Sequence, residues 1–283
     1  MNARDAAAEA APQLRAAGVP DAAFEAELLV RTASGITRTS FFAGADLSTA
    51  QQKRMMELVA RRNAREPFAY IAGRREFYGL EFEVSPAVLI PRPETELLVD
   101  IALEALRGDP CATVLDVGTG SGCVAVAIAQ AVDDRGPATQ LFATDVSAAA
   151  IEVAKRNAGH FCSAGRVGSR VGLFRGDLAS AVGRADIIVA NLPYIPSVEI
   201  ETLEPEVCCW EPRLALDGGG DGLDLIRRLV LDCSLRLRPR LLALEVAEGQ
   251  AQAVVAVGEK AGARSDVVKD LAGIERVVCL RWA

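Results

Sequence analysis

The chain has 283 residues, 51% of them hydrophobic and 24% charged, which suits one large or two ordinary globular domains and excludes a disordered chain. No apolar run approaches the about 18 residues of a membrane span. The opening MNARDAAAEAAPQLR carries acids and lacks an apolar stretch, which argues against a secretory or transit segment; a cytoplasmic protein with no membrane partner is expected.

Net charge is −7, with the excess of acid lying beyond residue 90. Residues 53–75 run the other way, with seven basic and two acidic side chains. They form either a solvated helix face or a docking patch for an acidic partner or an RNA. The seven cysteines are odd in number and form no C-x-x-C pair, so buried free thiols are expected. The single histidine, His160, sits in a loop-like AGHFCSAG and is expected at the solvated surface, which leaves no histidine triad and no metal site.

In chain order, residues 3–17, 21–34 and 47–65 show helical spacing, with Asp21 and Ser48 as candidate caps. They predict a small helical domain over 1–75. EFYGLEFEV (76–84) alternates around a Gly and predicts a β-hairpin. The hairpin and a Pro-rich link occupy 76–92, and a helix begins near Glu94. From residue 113, strands at 113–117, 140–145, 169–177, 185–191 and 240–246 alternate with helices at 121–132, 147–158, 222–237 and 249–262, with Ser147 capping the second of these. This pattern predicts an α/β domain over 93–283 built on a mostly parallel sheet. SDVVKD and ERVVCLRW are separated only by LAG, too short for a parallel crossover, so they are expected as antiparallel neighbours.

LDVGTGSGCVA follows the first of these strands and opens a helix. Gly118, Gly120 and Gly122 allow a tight turn and close approach to a ligand, with Thr119 and Ser121 between them. The G-x-G-x-G spacing departs from the dinucleotide fingerprint and lacks the Lys-Ser/Thr of a nucleotide-triphosphate loop. Asp145, ending the second strand, can accept both hydroxyls of a ribose. Together these resemble the S-adenosylmethionine (SAM) site of Rossmann-type methyltransferases, with NAD binding as the competing reading. Asp177 lies past the third strand, where that fold reads adenine; it serves either that role or as a helix cap.

VANLPYIP then falls at the end of the fourth strand, where open α/β sheets bind ligands. Asn191, Leu192, Pro193 and Tyr194 resemble the (D/N/S)-P-P-(Y/F/W) signature of methyltransferases that act on planar nitrogens. Such a nitrogen is a poor nucleophile because its lone pair is delocalised. The Asn191 side-chain oxygen and the Leu192 carbonyl can accept its two N–H bonds, Pro193 fixes the turn, and Tyr194 stacks on the planar group. Leu192 replaces the usual first proline and keeps the backbone carbonyl.

The stretches EFYGLEFEVSPAVLIPRPETELLVD, LDVGTGSGCVAVAIA, NLPYIP, WEPRLALDGGGDGLDLIRRL and DLAGIERVV occur in one order and cover nearly the whole chain. In them the chain is similar to the HemK family, the N5-glutamine methyltransferases of peptide chain release factors. The resemblance implies a Rossmann-type SAM-dependent methyltransferase domain, with a seven-stranded sheet and antiparallel last strand, preceded by a helical domain and hairpin. It implies SAM as cofactor and the glutamine of the Gly-Gly-Gln loop of class-1 release factors as substrate. It also implies that Gly118 to Gly122, Asp145 and Asn191 contact SAM, and that Asn191 to Tyr194 hold the glutamine. Where the family often carries an aromatic residue near the adenine, this chain has Leu178. Arg92 and Glu94 are expected to line the substrate side, Glu96 serves as a first-turn acid, and Glu211 either joins that wall or caps. A monomer with no nucleic-acid partner is expected. The alternatives are an adenine N6 methyltransferase acting on RNA or DNA, which NLPY supports and the acidic catalytic half opposes, and a non-catalytic binding protein.

Overall fold

The computed structural model describes residues 1–109, 111–133, 139–162 and 171–282. Two compact units emerge, Met1–Gly73 with Glu204–Trp210, and Arg74–Leu203 with Glu211–Ala283. The heptapeptide Glu204–Trp210, far along the chain, thus groups with the N-terminal helices, which a boundary at residue 75 does not anticipate.

The first unit contains α1 (Ala3–Ala16), α2 (Ala22–Ser34), the short α3 (Arg38–Phe42), α4 (Thr49–Asn63) and the short α5 (Phe68–Ala72). Small residues on one face of α1, Ala3, Ala6 and Ala10, let it pack closely with Leu29 and Val30 of α2 and Leu58 of α4 in one buried cluster. Ser48 caps α4 through a reciprocal capping box with Gln51. Asp21 does not cap α2. It adopts a left-handed conformation (φ 49°), and its side chain accepts no bond from the first turn.

The basic segment is largely neutralised within the chain. Arg54 pairs with Glu57, Arg61 with Glu66, and Arg74 with Glu81. Arg62, 3% exposed, lies between Glu25 and Glu206, and Arg65 reaches Glu206 and Glu204. This is the physical reason that Glu204–Trp210, including α9 (Pro205–Cys208), belongs with the helices. Among the described residues, only Lys53 and Arg75 of the seven cations lack an ion pair.

The second unit opens with the hairpin β1 (Arg74–Phe77) and β2 (Leu80–Glu83), turned at Tyr78 and Gly79, both with positive φ. Tyr78 N–H donates to Glu96 at 2.8 Å, so Glu96 braces the turn as well as starting α6 (Glu96–Arg107). The core sheet comprises β3 (Thr113–Val117), β4 (Gln140–Asp145), β5 (Val171–Arg175), β6 (Ile187–Ala190), β7 (Leu241–Glu245), β8 (Arg264–Lys269) and β9 (Glu275–Arg281) in the order β5-β4-β3-β6-β7-β9-β8. The first five are parallel; β9 is antiparallel to β7 and also to β8, the latter as the short LAG connection requires. Residues 169 and 170 of the predicted third strand lie outside the described residues.

Successive residues of the central strands point to opposite faces, and both faces are buried. Val114, Ile187, Val189 and Ala243 join the core under α6 and α7 (Cys123–Asp133). Leu115, Ile188, Leu242 and Leu244 join the core under α10 (Asp224–Asp232) and α11 (Ala251–Lys260). Each fully buried Leu or Ile contributes about 2 kcal/mol. The predicted helix over 222–237 ends in a π-helical turn, Cys233–Leu237. α8 (Ala148–Cys162), capped by Ser147, runs beyond residue 158, so exposed His160 is helical and not in a loop. Of the cysteines, Cys123, Cys233 and Cys279 are buried as expected, but Cys111 and Cys209 are exposed and Cys208 is half-buried; the Cys162 side chain lies outside the described residues.

Candidate active site

β3 sends its neighbours in opposite directions, to β4 on one side and β6 on the other. At such a switch point the loops leaving the carboxyl ends diverge and open a crevice. Here a cavity of about 380 Å³ occupies that position. Its wall includes four of the five residues Gly118 to Gly122, all but Gly122, together with Asp145, Asp177, Leu178, Asn191, Leu192, Pro193 and Arg92. The fold thus gathers most of the residues singled out from sequence into one space. Glu94 and Tyr194 lie outside the wall.

The glycine loop is held from below. Gly118 and Thr119 both donate N–H to the Thr144 carbonyl at 2.9 Å. Gly118 adopts φ 75°, and a Cβ there would meet the Leu192 side chain at 3.3 Å, so glycine lets the NLPY turn come close. Asn157, buried in α8, accepts the Glu83 N–H and donates to the Glu83 and Ser121 carbonyls, tying the hairpin to this loop.

Two acids lie on the glycine-loop side of the cavity. Asp145 accepts N–H bonds from Gly120 at 2.9 Å and Ser147 at 2.8 Å. Burial raises its pKa against these bonds. Asp116 is absent from the sequence-derived set, although it too lines the cavity. It is 3% exposed and pushed up to about 6 by burial, against hydrogen bonds from Thr119 (2.6 Å) and Ala125 (3.3 Å). Its only sequence signal is its place in LDVG, one residue short of the strand end. Asp177 is exposed, and its carboxylate pairs with Arg228 at 2.5 Å; its side chain accepts no cap bond among the described residues. Both residues line the cavity.

On the opposite side, Asn191 donates from Nδ2 to Thr95 Oγ1 at 3.0 Å. Arg92 binds Glu211 at 2.5 Å. Burial raises the pKa of Glu211 against that arginine, so Glu211 holds Arg92 in place and does not form the wall itself. Tyr194 is pushed up to about 12, by burial first and then by Glu245; its carbonyl accepts from Gln250 at 2.8 Å. Thr95, which lines the cavity, and Glu245, beside Tyr194, are absent from the sequence-derived set. Thr95 reads as a helix-start residue and Glu245 as the end of an apolar strand.

This cradle fits a SAM-sized ligand. The backbone turn of the glycine loop, the buried acid Asp145 and the apolar Leu178 and Leu225 surround one connected space. No cluster of potential metal-binding side chains occurs among the described residues.

Residues 5–73 match the PrmC N-terminal domain family, and residues 94–201 match the family of ribosomal protein L11 methyltransferase (PrmA). A release factor glutamine methyltransferase of Geobacter sulfurreducens is 43% identical over 92% of this chain and 90% of its own. One from Cereibacter sphaeroides is 43% identical over 99% of both chains. Among solved structures, the N-terminal domain of human METTL16 in complex with SAH superposes with a TM-score of 0.51 at 13% identity, covering 82% of each chain, a likeness of fold alone.

Proposed function

The chain belongs to the release factor glutamine methyltransferase family, and we propose that it methylates the side-chain nitrogen (N5) of the glutamine in the Gly-Gly-Gln motif of class-1 peptide chain release factors. It is an enzyme of the SAM-dependent class. The observation that carries this reading is the single cavity shared by the glycine loop with Asp145 and by the Asn191–Pro193 turn.

SAM, when bound, supplies an electrophilic methyl group. Gly118 to Gly122 and Asp145 would hold it, with Asp177 and Leu178 at the adenine end and Asn191 at the methyl end. Asn191 Oδ1 and the Leu192 carbonyl accept the two N–H bonds of the glutamine amide, which fixes the nitrogen in the plane needed for attack. Pro193 holds the turn and Tyr194 supplies its aromatic face. Arg92, anchored by Glu211, offers a cation on the substrate side, with Glu94 beside it. No strong general base is needed, because the amide nitrogen becomes acidic only on alkylation, and the lack of a histidine here costs nothing. No helix among the described residues is long and apolar enough to cross a membrane, and we place the enzyme in the cytoplasm, acting as a monomer without a nucleic-acid partner.

Methyl transfer from labelled SAM to a purified class-1 release factor tests the reading, alongside a Gln→Ala variant of its Gly-Gly-Gln loop and bulk ribosomal RNA. Label on the wild-type factor alone is expected. Label on RNA would move the enzyme to the adenine N6 class, and label on the Gln→Ala factor would displace the modified site.

A further inference from the structure

The turn after β6 has a front and a back. At the front, Asn191 and Leu192 line the cavity. The carbonyls of Pro193 and Tyr194 follow directly. Each peptide unit is planar and rigid, so a short turn cannot aim one carbonyl without fixing its neighbours.

Two distant stretches hold the back. The first is LDGGGDG, residues 216–222. Ile195 N–H donates to the Leu216 carbonyl at 3.1 Å, Gly218 N–H to the Ile195 carbonyl at 2.9 Å, and Ser197 N–H to the Gly219 carbonyl at 2.9 Å. A Cβ at Gly218 would lie 2.7 Å from the Pro193 carbonyl oxygen, so backbone meets backbone with no side chain between.

The second stretch follows β7. Gln250, immediately before α11, uses both ends of its side-chain amide. Ala247 N–H donates to its Oε1 at 3.0 Å, and its Nε2 donates to the Tyr194 carbonyl at 2.8 Å. A backbone N–H can only donate, so Ala247 fixes the oxygen end and leaves the nitrogen end for Tyr194. Gln250 N–H also donates to the Ala247 carbonyl at 3.1 Å, which closes the 247–250 turn. A Cβ at Gly222 would stand 2.7 Å from Gln250 Nε2, so glycine there leaves room for this bond. Among the described residues no other group donates to the Tyr194 carbonyl, and none donates to that of Leu192.

We infer that Gln250 is a positioning residue for methyl transfer. By holding the Tyr194 carbonyl against residues 216–222, it keeps the Leu192 carbonyl and the Asn191 side chain turned to the substrate amide. This rests on the reading of those two groups as acceptors for the glutamine nitrogen. Gln250 is outside the cavity wall and need not touch substrate.

Gln250→Glu and Gln250→Ala separate this role from a merely structural one. Glu keeps the length, the planar end and an oxygen for Ala247 N–H. At about pH 8, well above the ordinary Glu pKa of about 4.3, its second oxygen is an acceptor facing the Tyr194 carbonyl. If Gln250 only filled space and closed the 247–250 turn, Gln250→Glu would match the wild type and only Gln250→Ala would suffer. For a positioning residue, both variants should lose about 10- to 100-fold in kcat, Glu at least as much as Ala, with SAM affinity and KM for the release factor held within about threefold. A Glu variant faster than the Ala variant would overturn the inference. So would a loss of SAM affinity in step with kcat. If Gln250→Ala fails to fold, Gln250→Glu decides alone: a fall in kcat of more than about threefold supports the role and a smaller one overturns it. Asn191→Ala, measured alongside, keeps the two levels apart. An inactive Asn191→Ala with a wild-type Gln250→Glu would sink the role of Gln250 alone, whereas a fully active Asn191→Ala would remove the reading beneath it.

Discussion

Glu206 in the helical unit is half-buried and Glu245 at the carboxyl end of β7 is buried, and their surroundings drive them in opposite directions. Burial acts to raise both. At Glu206, hydrogen bonds from Arg65 and Arg62 overcome it and hold the carboxyl down at about 2. At Glu245 a single hydroxyl and more distant arginines do not, and the carboxyl rises to about 7. One acid has its charge matched within the unit. The other keeps, among the described residues, an oxygen with no hydrogen-bond partner beside the NLPY turn. The difference follows from whether cations lie within hydrogen-bond reach of the buried carboxylate.

Asn191→Ala should show the largest effect. Removing the acceptor is expected to lower methyl transfer by about 10²- to 10³-fold, with SAM affinity nearly unchanged by calorimetry. If SAM binding falls in step with the rate, the turn serves the cofactor and not the substrate.

Glu206→Ala comes next, and its effect should fall on stability. It leaves the buried Arg62 with Glu25 as its one charged partner, besides the Glu66 carbonyl, and should destabilise the helical unit by about 3 kcal/mol in urea. Because the folded pKa lies below the unfolded value, the stabilisation is present above about pH 4.5 and is lost as pH falls toward about 2. Glu206→Gln should flatten the stability profile across that window; an unchanged profile would assign acid unfolding to other groups.

Gly222→Ala probes the NLPY turn indirectly. At φ 79°, its new Cβ would lie 2.1 Å from the Tyr194 carbonyl oxygen. The strain should cost about 1–3 kcal/mol and lower kcat by displacing the NLPY turn. A wild-type rate would show that the turn does not depend on this packing.

The smallest effect is expected from Lys53→Glu with Arg75→Glu, the two cations of the basic segment without ion pairs. Surface charges of this kind contribute about 0–1 kcal/mol, so KM for the release factor should change by less than about fivefold. A larger, salt-sensitive rise would restore the segment as a docking surface.

What could be read from sequence was local chemistry. The glycine loop, the NLPY turn and Asp145 each occupy a few consecutive residues whose backbone and side-chain requirements are met nearby. Strand alternation and the three-residue LAG connection likewise set the layers and the antiparallel end of the sheet. Tertiary structure alone decided which acids are neutralised and which are left exposed to the field of a buried site. Thr95 and Asn191 are 96 positions apart, and Arg65 and Glu206 are 141 apart. Burial and the direction of a hydrogen bond depend on groups that the chain brings together only on folding. Hence Asp21 looked like a cap and is not one, and residues 53–75, a solvated face or a docking patch by sequence, are mostly paired within the chain.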